Sequence, residues 1–261
     1  MKLTLDQIRI IREGELDCNK FYLQWQLDRK SYTSINEVLE TIGLKWNRKE
    51  KAHIADCTPE ELEDAIADII ETGEVETLKE TIKKFQFYET PREVAEYLVE
   101  LADIWEFDNV LEPSAWHGAI VKEIRKKKYA FMEAVEIDPV KYNYLYQELF
   151  MYPDLMATKS RFIDDRLTEW DFINYSRMTF DKIIANPPFS KSQDVKHILK
   201  MYDCLNEWWR LVSIASSSIK WRTWKLYDEL KALNPEFIEL PEWSFNESWT
   251  MVNTVILVIN K

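Results

Sequence analysis

At 261 residues with 46% hydrophobic content, the chain is long enough for one α/β domain and a smaller appendage, each around a real core. No window approaches the run of about 18 apolar residues that spans a membrane, and the polar start Met1-Lys2-Leu3-Thr4-Leu5-Asp6 lacks a signal-peptide layout, so a cytoplasmic protein with no membrane partner is expected. The formal charge of −12 argues against a protein coated by nucleic acid while allowing a local basic face, and Cys18, Cys57 and Cys204, with no CxxC pair, argue against disulfides or a metal site.

The first ~84 residues read as a separate small α+β region. Ser34-Ile35-Asn36-Glu37 has the form of a capping box opening a helix that Gly43 closes, and Thr58-Pro59-Glu60-Glu61 opens a second, with proline at its first position. Leu62, Ala65, Ile66, Ile69 and Ile70 form the apolar stripe of that second helix, which stops near Gly73. Between the two, Lys45 to Ile54 reads as a basic β-hairpin; Arg48, Lys49 and Lys51 are either a nucleic-acid contact or a solvated face, and His53 is read as structural. The polar stretch Glu74 to Lys84 is expected to be a linker or a mobile helix.

From Phe85 onward strands alternate with helices. A helix over Arg92–Ile104 precedes a strand near Asn109-Val110-Leu111, a turn over Glu112–Gly118 and a helix from Ala119 to about Lys128. A strand over Phe131–Ile137 follows, and further strands are expected at Ile183-Ile184, Leu211–Ala215 and Thr254–Ile259. This order predicts an α/β fold with a mostly parallel, doubly wound sheet, in which ligands bind beyond the carboxyl ends of the strands.

Three turns at that edge, after Leu111, Ile137 and Ala185, and a further candidate strand end carry candidate chemistry. Asp181-Lys182-Ile183-Ile184-Ala185 runs into Asn186-Pro187-Pro188-Phe189, where the prolines end the strand in a stiff extended loop. The loop offers the Asn186 oxygen and the Pro187 carbonyl as two acceptors, and Phe189 as a stacking ring, a set that suits a planar exocyclic amine. The plain alternative is a turn after a buried strand. In Glu112-Pro113-Ser114-Ala115-Trp116-His117-Gly118, backbone N–H groups at a helix start can face an anion and Glu112 can accept from an ammonium group. Glu136 ends the next strand, where a carboxylate can take ribose hydroxyls, with Ile137 beside it; Asp171-Phe172 is a further candidate strand end.

Phe87-Tyr88-Glu89-Thr90-Pro91, Val110 to Gly118, Val135-Glu136-Ile137-Asp138-Pro139, Asp171-Phe172 and Asn186 to Phe189 together resemble motifs X, I, II, III and IV of class I S-adenosylmethionine-dependent amino-methyltransferases. The likeness is closest to the γ-ordered adenine-N6 DNA methyltransferases of a small bacterial and phage subgroup, and it covers about Phe85 to Lys261. It implies a Rossmann-like methyltransferase domain over 85–261, with S-adenosylmethionine as cofactor and no metal. Thr90 and Pro91 would border the methionine moiety. Glu112, Pro113, Ser114, Ala115 and Gly118 would hold the amino-acid end, Glu136 and Ile137 the ribose and adenine, and Asp171 and Phe172 the adenine edge. Asn186, Pro187, Pro188 and Phe189 would take a base flipped out of duplex DNA, with Phe245 as a wedge and Arg48 and Lys49 on the nucleic acid. Ribosomal RNA and a protein glutamine are the alternative acceptors.

One departure stands out. The chain has 4 Gly and 11 Trp, where average usage would give about 18 glycines. Trp116, Trp170, Trp208, Trp209, Trp243 and Trp249 fall where the resembling proteins carry glycine. Either UGA codons read as glycine in the source have been rendered as tryptophan, or the tryptophans are literal and the protein is a catalytically impaired binding module.

Overall fold

The computed structural model describes residues 2–77, 90–151, 165–222, 225–240 and 254–261. Segment 78–84, Phe87-Tyr88-Glu89, Trp243, Phe245 and Trp249 lie outside the described residues. The described residues fall into two compact units, one holding 2–77 and 188–192, the other holding 90–187 and the remainder from Gln193.

The first unit contains α1 (Leu5–Arg12), β1 (Glu15–Asp17), β2 (Lys20–Tyr22), α2 (Arg29–Thr41), β3 (Lys45–Asn47), β4 (Ala52–Ile54) and α3 (Pro59–Thr72). Its strands form an antiparallel sheet in the order β1-β2-β4-β3. Phe21, Leu39, Leu62, Ile66 and Ile69 are buried together as its core. Helix α3 starts as its sequence requires: the Thr58 hydroxyl accepts from the Glu61 N–H (3.3 Å), the Glu61 carboxylate accepts from the Thr58 N–H (2.9 Å), and Gly73 ends the helix at φ 68°. Helix α2 differs from expectation because it begins before Ser34. Asp28 is the better cap, its carboxylate accepting from the N–H groups of Lys30 (2.9 Å) and Ser31 (3.1 Å), while Ser34 lies inside the helix and accepts from the Gln7 side chain (2.8 Å). Lys191, also part of this unit, donates its N–H to Asp64 (2.6 Å) and pairs its Nζ with Glu61 (3.0 Å).

The second unit contains α4 (Arg92–Ala102), β5 (Asn109–Glu112), α5 (Ala119–Ile124), β6 (Phe131–Glu136), α6 (Pro139–Leu145), β7 (Arg166–Glu169), β8 (Phe180–Ala185), α7 (Gln193–Asp203), β9 (Leu205–Ser216), α8 (Lys225–Ala232), β10 (Glu236–Glu239) and β11 (Thr254–Asn260). The sheet order is β10-β11-β9-β8-β5-β6-β7, with β9 through β7 parallel and β10 and β11 antiparallel. This is the mostly parallel α/β architecture the alternation predicts. Every residue of β8 is buried, as a strand covered on both faces must be. The buried Asp181 carboxylate ties β8 to its neighbours, accepting from the Asn109 N–H and the Asn206 side chain, both at 2.8 Å. From β5 the chain winds outward through β6 and β7, then returns to place β8 on β5's other side, so the order reverses between β5 and β8. A crevice outside the carboxyl ends at such a reversal is where ligands bind in open α/β sheets. Among the described residues no helix is long and apolar enough to cross a membrane, and no His, Cys, Asp or Glu cluster could hold a metal.

Candidate active site

Two strand ends meet at the reversal. At the end of β8, the Asn186 side-chain nitrogen donates to the Thr90 hydroxyl (2.9 Å), so the amide nitrogen is engaged by the residue that precedes Pro91 and α4. The Ser114 hydroxyl, in the loop after β5, donates to the Asn186 carbonyl (3.4 Å). Thr90, Ser114 and Asn186 therefore belong to one cluster built by three chain segments far apart in sequence. Pro187 is buried; the chain crosses to the first unit at Pro188, and Phe189 is buried there.

Glu112, the last residue of β5, is 2% exposed, and its Oε2 has no hydrogen-bond partner among the described residues. Burial drives its carboxyl well above the ordinary range; the Val121 backbone N–H opposes this and the nearby Glu136 charge adds to it. A buried carboxylate oxygen with an unmet acceptor fits a cationic donor such as an ammonium group. Pro113 and Ala115 are buried and Ser114 is half-buried. Gly118 caps α5 at φ 78°, and a Cβ there would lie 2.5 Å from Leu149 and 2.8 Å from Leu145, so only glycine fits.

Glu136 ends β6, and both of its oxygens already hold backbone: one accepts from the Trp116 N–H (2.7 Å), the other from the Asp138 N–H (2.8 Å). Burial raises its carboxyl against these bonds. Each oxygen retains a second lone pair for a hydroxyl donor. Ile137 beside it is 62% exposed and presents an open apolar face. Trp116, which no apolar periodicity flags, is fixed by several partners: its indole N–H donates to His117 Nδ1 (2.7 Å) and Lys141 Nζ lies 3.5 Å from its ring centre.

At the end of β7, Asp171 accepts from the Ile173 N–H (3.1 Å) and the Asn174 side chain (2.9 Å). Phe172, expected at the adenine edge, is a buried ring. It is 2% exposed and packs in the core near Tyr175 and His197, because the short helical turn after Asp171 points it inward. Trp170 and Ile173 are the exposed apolar groups at this strand end. Burial pushes His197 down to about 4, so it is a neutral core residue at physiological pH.

In the first unit, the β3–β4 hairpin carries Lys45, Trp46, Arg48, Lys49 and Lys51, all exposed. The Asn47 side chain accepts from the N–H groups of Lys49 (2.9 Å) and Glu50 (3.2 Å) and so shapes the tip. His53 is buried and contacts Asn36 Oδ1 (3.2 Å), with burial lowering its pKa, as a structural histidine should.

Neither a protein-family model nor a curated protein sequence matches the chain. Solved structures share its fold. A protein assigned as a modification subunit of a type I restriction enzyme from Vibrio vulnificus aligns with TM-score 0.52 at 15% identity over 76% of this chain and 49% of that one. A protein assigned as an RNA methyltransferase from Pyrococcus horikoshii aligns with TM-score 0.49 at 19% identity, over 69% of this chain and 89% of that one. TrmN from Thermus thermophilus aligns with TM-score 0.48 at 17% identity, over 70% and 53%. The chain spans about half the length of the Vibrio protein. The fold is the Rossmann-like methyltransferase fold.

Proposed function

We propose that the chain is an S-adenosylmethionine-dependent N-methyltransferase whose acceptor is the N6 amine of an adenine flipped out of duplex DNA. The observation that carries this reading is the Asn186 side chain at the β8 end, its nitrogen held by Thr90 at 2.9 Å beside the end of β5. With the nitrogen engaged, the oxygen is the end of the amide that accepts. In the proposed reaction, that oxygen and the Pro187 carbonyl accept the two N–H bonds of the amine. They bend those bonds out of the ring plane and return the lone pair to nitrogen.

An adenine amine is a poor nucleophile because its lone pair is delocalised. Placement therefore matters more than a strong base. Glu112 would hold the cofactor's ammonium group, with Pro113, Ser114, Ala115 and Gly118 lining its amino-acid end. Thr90 and Pro91 would border its methionine, Glu136 and Ile137 would take its ribose and adenine, and Asp171 its adenine edge. When bound, the cofactor supplies an electrophilic methyl on a sulfonium, which leaves as a neutral thioether; the methylated nitrogen then loses a proton to water. A duplex hides the amine, so the base must leave the stack, and Phe189 would replace the lost stacking.

Transfer of tritiated methyl to duplex DNA, ribosomal RNA and release-factor-like protein, offered in parallel, tests the substrate. Label appearing in DNA as N6-methyladenine is the expected result. Label in RNA or protein alone would replace the DNA reading while keeping the methyltransferase one.

The β3–β4 hairpin is the proposed DNA contact outside the base pocket, because Arg48, Lys49 and Trp46 combine exposed charge with an exposed ring. Replacing Arg48 and Lys49 together by alanine is expected to weaken duplex binding and to make the plot of log affinity against log salt shallower by about 2 units. An unchanged slope would assign the hairpin to solvent.

A further inference from the structure

Among the described tryptophans the backbone sets two apart. Trp116 has φ 47° and Trp208 has φ 73°, in the left-handed region. A bulky side chain there is an outlier, whereas glycine enters without penalty. Among the described residues, Gly43, Gly73 and Gly118 share this region with Cys18, Lys51, Asp103, Lys191, Ser192 and Asn234, and Trp116 and Trp208 are the bulkiest side chains in it. Trp170 and Trp209 are absent from the positive-φ residues, so no such demand falls on them.

Each outlier has a local cause. At position 116 the turn between β5 and α5 aims the backbone N–H at Glu136 (2.7 Å), two residues before left-handed Gly118. At position 208 β9 bulges: Leu205 pairs with Phe180 and Arg210 with Lys182, so residues 206–209 stand opposite Asp181 alone. A left-handed residue inside such an irregularity is most easily supplied by glycine. The Trp208 side chain is 90% exposed, so packing does not offset the strain.

We propose that positions 116 and 208 are glycine in the protein as its own cell makes it, written as UGA codons that this cell reads as glycine. At 116 glycine would also remove the indole now held by His117 and Lys141 on the loop proposed to seat the cofactor. This second part rests on the proposed function and the first does not. The test reads the two codons and the masses of the native protein's peptides spanning 116 and 208. UGA codons with peptides lighter by an indolylmethyl group are expected; UGG at either position, or a native peptide with the tryptophan mass, overturns the proposal. By calorimetry, Trp116→Gly should bind S-adenosylmethionine at least about tenfold more tightly than the chain with Trp116, a factor of 1.4 kcal/mol. Equal affinity overturns the effect at 116 and leaves the mass result standing.

A second inference comes from a different contact and rests on the proposed reaction. We infer that Thr90 is a positioning residue for Asn186, since its hydroxyl takes the amide nitrogen at 2.9 Å and is itself 7% exposed. That bond assigns the amide nitrogen to Thr90 and leaves the acceptor role to the oxygen. Thr90→Val should lower kcat about tenfold or more with little change in KM for the nucleic acid, and Thr90→Ser should restore it. The Asn186 side-chain N–H signals in an NMR spectrum should shift in Thr90→Val but not in Thr90→Ser, whether or not any methyl is transferred. Unmoved signals overturn the inference. Shifted signals in a protein inactive on every acceptor would retain it and reject the methyltransferase reading.

Discussion

Replacing Asn186 by alanine should lower methyl transfer by about a hundred- to a thousandfold, the range seen when one preorganised polar group is removed from a reacting centre. The fall should appear in kcat under single-turnover conditions, with S-adenosylmethionine affinity changed less than about threefold. The asymmetry follows from geometry, because Asn186 leaves β8 while the proposed cofactor-holding carboxylate leaves β5. Asn186→Asp is the sharper variant. It keeps an acceptor for the amine and lets the Thr90 hydroxyl donate to its other oxygen, so it should retain more transfer than alanine does. An Asn186→Ala protein that transfers methyl at the parent rate would remove the acceptor pair from the mechanism.

Glu112→Gln should have opposite effects on stability and on cofactor binding. The folded protein raises this carboxyl by burial, so over the window from the ordinary glutamate range upward the folded state binds more protons than the unfolded one. Stability therefore falls as pH rises through that window, and the penalty is complete above the folded-state value. Glutamine cannot ionise, so the variant without cofactor should be more stable than the parent at neutral pH by about 1–3 kcal/mol. Its stability should also depend less on pH between about 4.3 and neutrality. Cofactor affinity should move the other way, by about tenfold or more, because an ammonium group loses a charged partner worth about 1.5–3 kcal/mol. Thermal melts across pH, paired with calorimetry on the same two proteins, check both signs; a variant less stable and equally tight would assign Glu112 to structure alone.

The sheet was legible because its strands announce themselves. Phe180–Ala185 is a short apolar run cut by two prolines, and Phe131–Glu136 ends at an Asp-Pro helix cap. The positions of Glu112, Glu136 and Asn186 follow, since strand ends in an alternating α/β chain gather at one edge. The first unit was less legible. Strands β1 and β2 have three residues each, too few for periodicity, and their tip turns through Cys18 at φ 54° without a glycine to mark it. Helix α1 was missed although Thr4 and Gln7 form a capping box. The bond between Thr90 and Asn186 joins residues 96 positions apart, and no local pattern encodes it. Phe172 shows the converse limit, because its position after a strand was readable while the rotation that buries its ring depends on the turn at Asp171.

Lys191 ties the segment that follows β8 to helix α3. It sits five residues after Asn186 and belongs with Glu61 and Asp64 of α3, which hold its ammonium group and its backbone N–H. A fragment cut at residue 85 to keep only the sheet would retain all of Asn186-Pro187-Pro188-Phe189 yet lose both acceptors that hold Lys191, two residues beyond it. Residues 188–192 belong to the same compact unit as α3, so a graft of that segment onto another scaffold would have to bring α3 with it.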